Sequence, residues 1–384
     1  MFSTFVISAV TIVAAALVKS ASAADPTYSL VFNPQGANFF NNWNFYTGID
    51  TNNTGNVFYV TQQDAENQGL ISLNSAGNTI IKVDNTTSGV GNMTFGRNSV
   101  YMFSDYQIQS GNLLLFDAVH LPFGCSVWPA FWSQGPVWPD DGEIDIIEGV
   151  NMATNNNFSL HTLDGCTHPA AGSSIETGNL LSTDCFNQTA HNMGCVVEAP
   201  TPASYGAGFA AGGGGVFAVL WNDTGISMWF FDRSSIPQDL PTDSPDPAGW
   251  PNPTAFFPSS SCNLEQFFKP QTLVLDITIC GNFGLAVFSQ TCPGNCTDLV
   301  QTPSNYDNAF FEISYIKVFE ETNGSSPSVT PEGTALPTGT QPGSSGSTPS
   351  GGSGSSTGAG FPTLSVPTIV SLLSLAIAFF ILKV

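Results

Sequence analysis

The sequence has 384 residues, of which only 9% are charged while 12% are aromatic, and it contains 38 glycines and 26 prolines. This composition favours an extracellular protein rich in β-strands and turns over a helical one. The formal net charge of −22 argues against nucleic acid as a partner, because that binding depends on basic residues, and it is compatible with a neutral polymer as ligand.

Residues 1–23 have the pattern of a secretory signal peptide. Residues 5–18 are largely apolar, and Ala21-Ser22-Ala23 is a small-residue cleavage site. The apolar run is short for a membrane span. We therefore expect the protein to be secreted.

Sequons and cysteines also fit export. The sequons, which predict N-glycosylation, start at Asn52, Asn85, Asn92, Asn157, Asn187, Asn222, Asn295 and Asn323. An even set of cysteines predicts disulfides in an oxidising compartment, and it comprises Cys125, Cys166, Cys185, Cys195, Cys262, Cys280, Cys292 and Cys296. The sequence does not fix their pairing, although Cys125 is expected to brace the loop that precedes an aromatic cluster. Cys292 and Cys296 are also spaced like zinc ligands, but no histidine or second close cysteine pair joins them, so we expect no metal.

Residues 24–321 are predicted to form one domain. Short apolar stretches recur between turn-rich segments, and they read VFYVTQQ, TIIKVDN, SVYMFS, NLLLFDAV, VFAVLWN, ISMWFF, TLVLDITI and FFEISYIKVF. This pattern predicts an all-β fold, a two-sheet antiparallel jelly-roll sandwich with a substrate cleft across one concave sheet. The glycine run at residues 212–215 is expected in a loop and is no phosphate site, because no helix or lysine follows it.

Residues 141–151, DGEIDIIEGVN, concentrate acidic side chains in an apolar context. Alternation with isoleucine predicts a β-strand that carries Glu143 and Asp145 on one face. In a regular strand Glu148 would point into the core, where an ionised carboxylate is very costly. A one-residue β-bulge near residues 146–147 would return Glu148 to the face of the other two acids.

A row of three acids suits glycosidic bond cleavage, which commonly uses one protonated and one ionised carboxyl group. Asp145, in the middle, would couple to both neighbours and help to hold a proton on the row. The alternatives are a solvated acidic strand or part of a calcium site. Nearby rings of Trp128, Phe131, Trp132 and Trp138 suit stacking against sugars, although at least one is expected in the sandwich core.

Residues 124–151, GCSVWPAFWSQGPVWPDDGEIDIIEGVN, resemble the active-site strand of glycoside hydrolase family 16, in particular the fungal laminarinase-like endo-β-1,3(4)-glucanases with the bulged E-x-D-x-x-E motif. The similarity extends from about residue 39 to about residue 319 and includes FFNNWNFYTG, HLPFGC, FFPSSSCNLEQFF and LDITICGNFG. The resemblance implies that Glu143 is the nucleophile, Glu148 the general acid/base and Asp145 the assisting acid. It implies no cofactor.

Substrate-binding candidates lie in and beyond the motif. Besides Trp128, Trp132 and Trp138, they include His161, which is expected on the next strand, either beside Glu148 or in a structural role. The resemblance adds three residues of loops that flank the cleft: Trp250, Asn282 and Phe283.

This chain departs from the family pattern at three places. Cys280-Gly281-Asn282-Phe283-Gly284 replaces C-G-D-W-A-G, which keeps a ring for stacking but loses an indole donor. Residues 50–55 replace a D-P-T-H-G turn, and Tyr101 stands where an arginine is common. These changes concern substrate preference rather than the acid row.

The composition changes after residue 321. Residues 322–360 are rich in Ser, Thr, Gly and Pro and predict a flexible, O-glycosylated stalk. The small residues at 352–360, a spacer and the apolar tail within residues 361–384 match a GPI-attachment signal, with a plain membrane span as the alternative. We expect a protein of the cell surface or cell wall, held by a lipid anchor.

Three functions are compatible with these features. The first is retaining endo-hydrolysis of β-1,3- or mixed β-1,3/1,4-glucan by a monomer. The second is a cell-wall glucan transglycosylase, although those enzymes resemble the unbulged E-x-D-x-E form. The third is a non-catalytic glucan-binding wall protein, although binding relatives of this fold have lost the glutamates that this chain keeps.

Overall fold

The computed structural model describes residues 27–92, 94–172 and 174–322. The predicted signal peptide, nearly all of the predicted stalk, the apolar tail and the sequon at Asn323 lie outside the described residues.

β-Strands dominate the described residues. In chain order they are β1 (Tyr28–Phe32), β2 (Trp43–Phe45), β3 (Gly48–Ile49), β4 (Val57–Tyr59), β5 (Ile71–Leu73), β6 (Thr79–Lys82), β7 (Arg97–Ser99), β8 (Tyr101–Ile108), β9 (Asn112–His120), β10 (Val127–Gln134), β11 (Glu143–Glu148), β12 (Asn157–His161), β13 (Asn179–Ser182), β14 (Cys195–Glu198), β15 (Gly215–Asn222), β16 (Gly225–Asp232), β17 (Ala255–Pro258), β18 (Gln271–Ile279) and β19 (Phe310–Glu321). Each apolar stretch singled out from the sequence contains a strand, so those predictions are confirmed.

Helices are short and lie in the connections. They are α1 (Gln62–Asn67), α2 (Gly206–Ala211), α3 (Leu264–Phe267), α4 (Gly281–Ala286), α5 (Phe288–Thr291) and α6 (Cys296–Leu299), with 3-10 turns at Gly36–Asn42, Pro202–Ser204, Pro247–Gly249 and Pro303–Tyr306. The end of the stretch VFYVTQQ belongs to α1 and not to a strand, because the Thr61 side chain caps that helix by accepting from the Asp64 amide. None of the helices in this described part of the chain has the length and apolarity needed to cross a membrane.

The strands form two large antiparallel sheets, which confirms the predicted sandwich. The first sheet has the order β17-β16-β15-β9-β19-β6-β5, with β1 also paired to β19, and the second has the order β13-β14-β12-β11-β10-β18-β8-β2. A small third sheet, β3-β4-β7, was not predicted, and it contains a parallel pair between β4 and β7.

The core lies between the two large sheets. Phe116 of β9 meets Phe131 of β10 with ring centroids 4.5 Å apart. Alternate residues of β18, among them Leu273 and Leu275, are fully buried in the same cluster. Because successive strand residues face opposite ways, the intervening residues of β10, β11 and β18 lie on the other face of the second sheet.

Disulfides pair all eight predicted cysteines: Cys125–Cys292, Cys166–Cys262, Cys185–Cys195 and Cys280–Cys296. The zinc alternative for Cys292 and Cys296 is therefore wrong, because neither sulfur is free to bind a metal as a thiolate. Cys125 ties the loop before β10 to the end of α5, as expected for a brace.

Candidate active site

The register of β11 contains the predicted bulge. Phe131 of β10 lies opposite Ile147, whereas the next residue, Trp132, lies opposite Asp145. Ile146 is therefore the extra residue. The pairing of β11 with β12 shifts over the same segment.

The bulge allows two successive isoleucines to face the core. Ile146 and Ile147 are both fully buried in the core cluster. Asn156 satisfies the backbone groups that the bulge takes out of the ladder, because its Oδ1 accepts from the Glu148 amide at 3.0 Å and its Nδ2 donates to the Ile146 carbonyl at 2.9 Å. Glu148 thereby joins the polar face of the second sheet, and the predicted three-acid row is confirmed as an arrangement.

Each glutamate of the row accepts a hydrogen bond from a tryptophan. The Trp128 indole donates to Glu148 Oε1 at 3.1 Å, and the Trp138 indole donates to Glu143 Oε2. Trp128 is half-buried on β10, and Trp138 lies exposed in the loop between β10 and β11. Two of the predicted tryptophans, Trp128 and Trp138, therefore lie at the row and orient its carboxyl groups.

Asp145 is buried between the glutamates and has polar partners of its own. Ser159 donates to its Oδ2 at 2.7 Å, and His161 Nε2 lies 3.1 Å from the same oxygen. The other ring nitrogen of His161 faces Asn192 Oδ1 at 3.0 Å. Since both nitrogens face oxygen acceptors, a protonated imidazolium satisfies both contacts.

The position of His161 corrects the sequence prediction. His161 lies opposite Glu143 in the ladder, not beside Glu148, and it contacts Asp145. The register of β12 could not be predicted, because the length of the connection before it does not determine which residues pair.

Burial and mutual repulsion control protonation of the row. Burial raises the pKa of Glu143 and of Glu148 well above the ordinary value, and Asp145 raises both pKa values further. His161 acts in the opposite direction on both glutamates. Although burial opposes its protonation, the nearby carboxylates, first that of Glu143, raise the pKa of His161 to about 10. One carboxyl group can thus keep a proton while another is ionised beside a cation.

The row is also the place where the described residues could hold a metal ion. One oxygen each of Glu143 and Asp145 and one nitrogen of His161 lie within 4.8 Å of one another. The contact between His161 and Asp145 already satisfies two of these atoms, so we retain the prediction of an acid row without a metal.

Phe283 lies against Trp128, and Asn282 contacts the turn at residues 50–55. The Phe283 ring meets the Trp128 ring edge to face at 5.4 Å. Asn282 accepts from the Thr54 hydroxyl at 2.8 Å, and its amide donates to the Asn53 carbonyl at the same distance. Two of the departures from the family pattern, the turn at residues 50–55 and the segment with Asn282, therefore contact each other beside the row.

Trp250 lies elsewhere, which corrects its prediction as a residue of the cleft. It is buried with Trp229 and Phe231 in a second apolar cluster, and its indole donates to Asp239 at 2.8 Å. This cluster also includes Leu113 and further residues of the first sheet whose side chains face away from the sandwich core. An aromatic in a loop looks the same in sequence whether it lines a cleft or covers an outer sheet face.

Sequence reasoning missed Asn156 and Asp276. Asn156 had no signal beyond its place in an asparagine-rich loop. Asp276 did have one, because it is the single charged residue in the apolar strand TLVLDITI. Its Oδ1 accepts from the Trp132 indole at 2.9 Å, which brings the third predicted tryptophan onto the same face.

We predict that His161→Gln moves the pH profile of kcat/KM to higher pH. The imidazolium lowers the pKa of both glutamates, so its loss should raise both pKa values and shift both limbs of the profile upward. His191→Gln, at an exposed histidine, is the matched control and should leave the profile unchanged. A shift of the His161 variant to lower pH would contradict a cation at this position.

Comparison with known sequences places the chain in a family. The sequence model of the XgeA-like catalytic GH16 domain matches residues 43–319. A probable glycosidase of Schizosaccharomyces pombe is 40% identical over 299 residues, which is 77% of this chain and 70% of that protein. The endo-1,3(4)-beta-glucanase xgeA of Emericella nidulans is 36% identical over 312 residues, and the match covers 77% of this chain but 48% of that protein. This chain thus matches about half the length of that glucanase.

Solved structures agree with the sequence comparison. Laminarinase 16A of Phanerochaete chrysosporium, with β-glucans in its donor and acceptor sites, is 35% identical with a TM-score of 0.72, and the match covers 77% of this chain and 100% of that one. An elongating family 16 β-1,3-glucosyltransferase is 38% identical with a TM-score of 0.71, and the match covers 76% of this chain and 99% of that one. With the jelly-roll sandwich and the acid row, these matches show that the chain belongs to glycoside hydrolase family 16.

Proposed function

We propose that the protein hydrolyses β-1,3- or mixed β-1,3/1,4-glucan within the chain and retains the anomeric configuration. The observation that carries this proposal is the row of Glu143, Asp145 and Glu148 on one face of the second sheet. The name of the nidulans relative and that of the fungal laminarinase support β-glucan as the substrate.

The proposed mechanism assigns one role to each acid. Ionised Glu143 attacks the anomeric carbon while protonated Glu148 gives its proton to the leaving oxygen. Glu148 then takes a proton from water while the water oxygen attacks the anomeric carbon, and the bond between that carbon and Glu143 breaks, which frees the sugar and the ionised nucleophile. Burial and then Asp145 raise the pKa of Glu148, which favours the protonated form that the first step needs. The same two causes raise the pKa of Glu143, and the His161 imidazolium opposes that rise and favours the ionised nucleophile.

Aromatic side chains are proposed to bind the sugars. Trp128 and Trp138 already donate to the glutamates, so their rings lie next to the bond that breaks. Trp138 is 44% exposed, which leaves a ring face for stacking. Trp132 and Phe283 extend this aromatic surface, and Asn282 adds an exposed amide.

Glucan transfer is the second candidate. The 38% identical neighbour is named as an elongating β-1,3-glucosyltransferase, and it matches this chain over almost its own full length. Both reactions share the glycosyl-enzyme, and they differ in whether water or a sugar hydroxyl receives the glycosyl group.

We predict that hydrolysis prevails and that the first product is the β-anomer. NMR of laminarin digestion would follow the anomer, and chromatography with excess laminari-oligosaccharide would reveal transfer. Products longer than the acceptor, formed in place of new reducing ends, would favour the transferase. A first-formed α-anomer would exclude the double displacement in both candidates.

We further propose that the protein is exported and acts as a monomer at the cell surface. The segment at residues 1–23, the stalk at residues 322–360 and the tail at residues 361–384 support export and a GPI anchor. Within the described residues, the sequon asparagines Asn52, Asn92 and Asn295 are exposed, as glycosylation requires.

Phosphatidylinositol-specific phospholipase C is predicted to release the protein from cells. Cleavage and lipid attachment remove the apolar tail, so mass spectrometry of the mature protein should find no peptide from residues 361–384. The control is a variant truncated before the apolar tail, which should appear in the medium without the enzyme. An intact tail peptide in the surface-bound protein would contradict the anchor.

A further inference from the structure

Asp276 is a buried carboxyl group that the proposed mechanism does not use. It lies on β18 opposite Ala130, and Ala130 lies opposite Glu148 across the next pairing. Directly opposite residues of antiparallel strands share a face, so Asp276 lies on the face of the acid row with one alanine between it and Glu148. It is 5% exposed.

Both oxygens of Asp276 have a donor. Oδ1 accepts from the Trp132 indole at 2.9 Å, and Oδ2 accepts from the Thr278 hydroxyl at 3.2 Å. The Thr278 hydroxyl also lies 2.7 Å from the hydroxyl of buried Tyr59. Since threonine has one hydroxyl proton, and it goes to Asp276, the Tyr59 hydroxyl donates to Thr278. The result is a directed chain of hydrogen bonds that ends at Asp276.

These linked hydrogen bonds hold Asp276, the acceptor of the Trp132 indole, in place. Trp132 lies opposite Asp145 in the ladder and is half-buried, so part of its ring remains accessible beside the row. An indole has one N–H donor, and the position of its acceptor determines the rotation of the ring. Asp276 therefore determines which way the ring face of Trp132 points.

The acceptor is available in either protonation state of Asp276. Burial raises the pKa of Asp276 to about 7. A protonated carboxyl group can keep Oδ1 as the indole acceptor and donate from Oδ2 to Thr278. A neutral amide has the same combination of one acceptor and one donor, which makes asparagine the conservative replacement.

We propose that Asp276 is a positioning residue that orients Trp132 as a stacking platform for a glucosyl ring next to the acid row. The inference rests on the proposed function, because it needs a sugar chain on this face. It assigns Asp276 to substrate binding and not to bond cleavage.

The test compares Asp276→Ala and Asp276→Asn in the wild-type protein and in Trp132→Phe, with kcat and KM measured on laminarin. Asp276→Ala should raise KM by about three- to tenfold, the effect of one neutral hydrogen bond, and change kcat by less than about twofold. Asp276→Asn keeps the acceptor and should leave KM within about twofold of wild type. In Trp132→Phe, which has no indole N–H, Asp276→Ala should raise KM no further.

Asp117→Asn provides the matched control, because Asp117 is a buried aspartate of the first sheet that pairs with Arg233. It should lower the melting temperature and leave KM unchanged. An equal rise of KM on Asp276→Ala with and without the indole would overturn the inference, as would a loss of kcat at constant KM.

Calorimetry of laminarihexaose binding separates this inference from the proposed function. If the wild-type protein binds the oligosaccharide without cleaving it, hydrolysis is overturned, and weaker binding by Asp276→Ala still supports the platform. In an active enzyme the comparison is made in the Glu143→Gln background, which lacks the proposed nucleophile and leaves the ligand intact, and equal affinities with and without Asp276→Ala would overturn the platform.

Discussion

The position of the acid/base depends on one side-chain amide. The extra residue in β11 removes backbone groups from the ladder in a buried region, where unpaired groups are costly. Asn156 replaces the lost partners by bonding to the Glu148 amide and the Ile146 carbonyl. The bulge can therefore persist, and with it the placement of Glu148 beside the other acids. Asn156 is in turn held in place, because its backbone N–H donates to the Ser204 hydroxyl at 3.0 Å.

The acid row depends on His161 for positive charge, because the chain has few other cationic side chains. The sequence contains seven lysines and arginines against 29 acids. Among the described residues, Arg97, Arg233 and Lys317 pair with aspartates away from the row. His161 supplies the positive charge at the row, and its contact with Asp145 explains why a cluster of carboxyl groups is tolerated there.

The strand, the bulge and the face of the three acids could be predicted because each follows from side-chain alternation and from the cost of burying Glu148 among isoleucines. The pairing of His161 with Glu143 could not, since register depends on the partner strand and the turn before it. Trp250 was misplaced because aromatic residues also cover the outer face of the first sheet. The disulfides and the contact of Trp132 with Asp276 join segments far apart in sequence, and local patterns carry no information on such contacts.

The most direct test of the acid row is chemical rescue of its two glutamates with an activated aryl β-glycoside and azide. Glu148→Gln keeps the nucleophile, and an activated leaving group needs no proton, so azide should release a β-glycosyl azide from the glycosyl-enzyme. Glu143→Gln cannot form that intermediate and should yield no β-azide. If Glu143→Gln forms an α-glycosyl azide, azide has displaced the aryl leaving group in one step from the side of the missing carboxylate, and this agrees with Glu143 as the nucleophile. We expect a β-azide from Glu148→Gln alone, and a β-azide from Glu143→Gln instead would contradict the assigned roles.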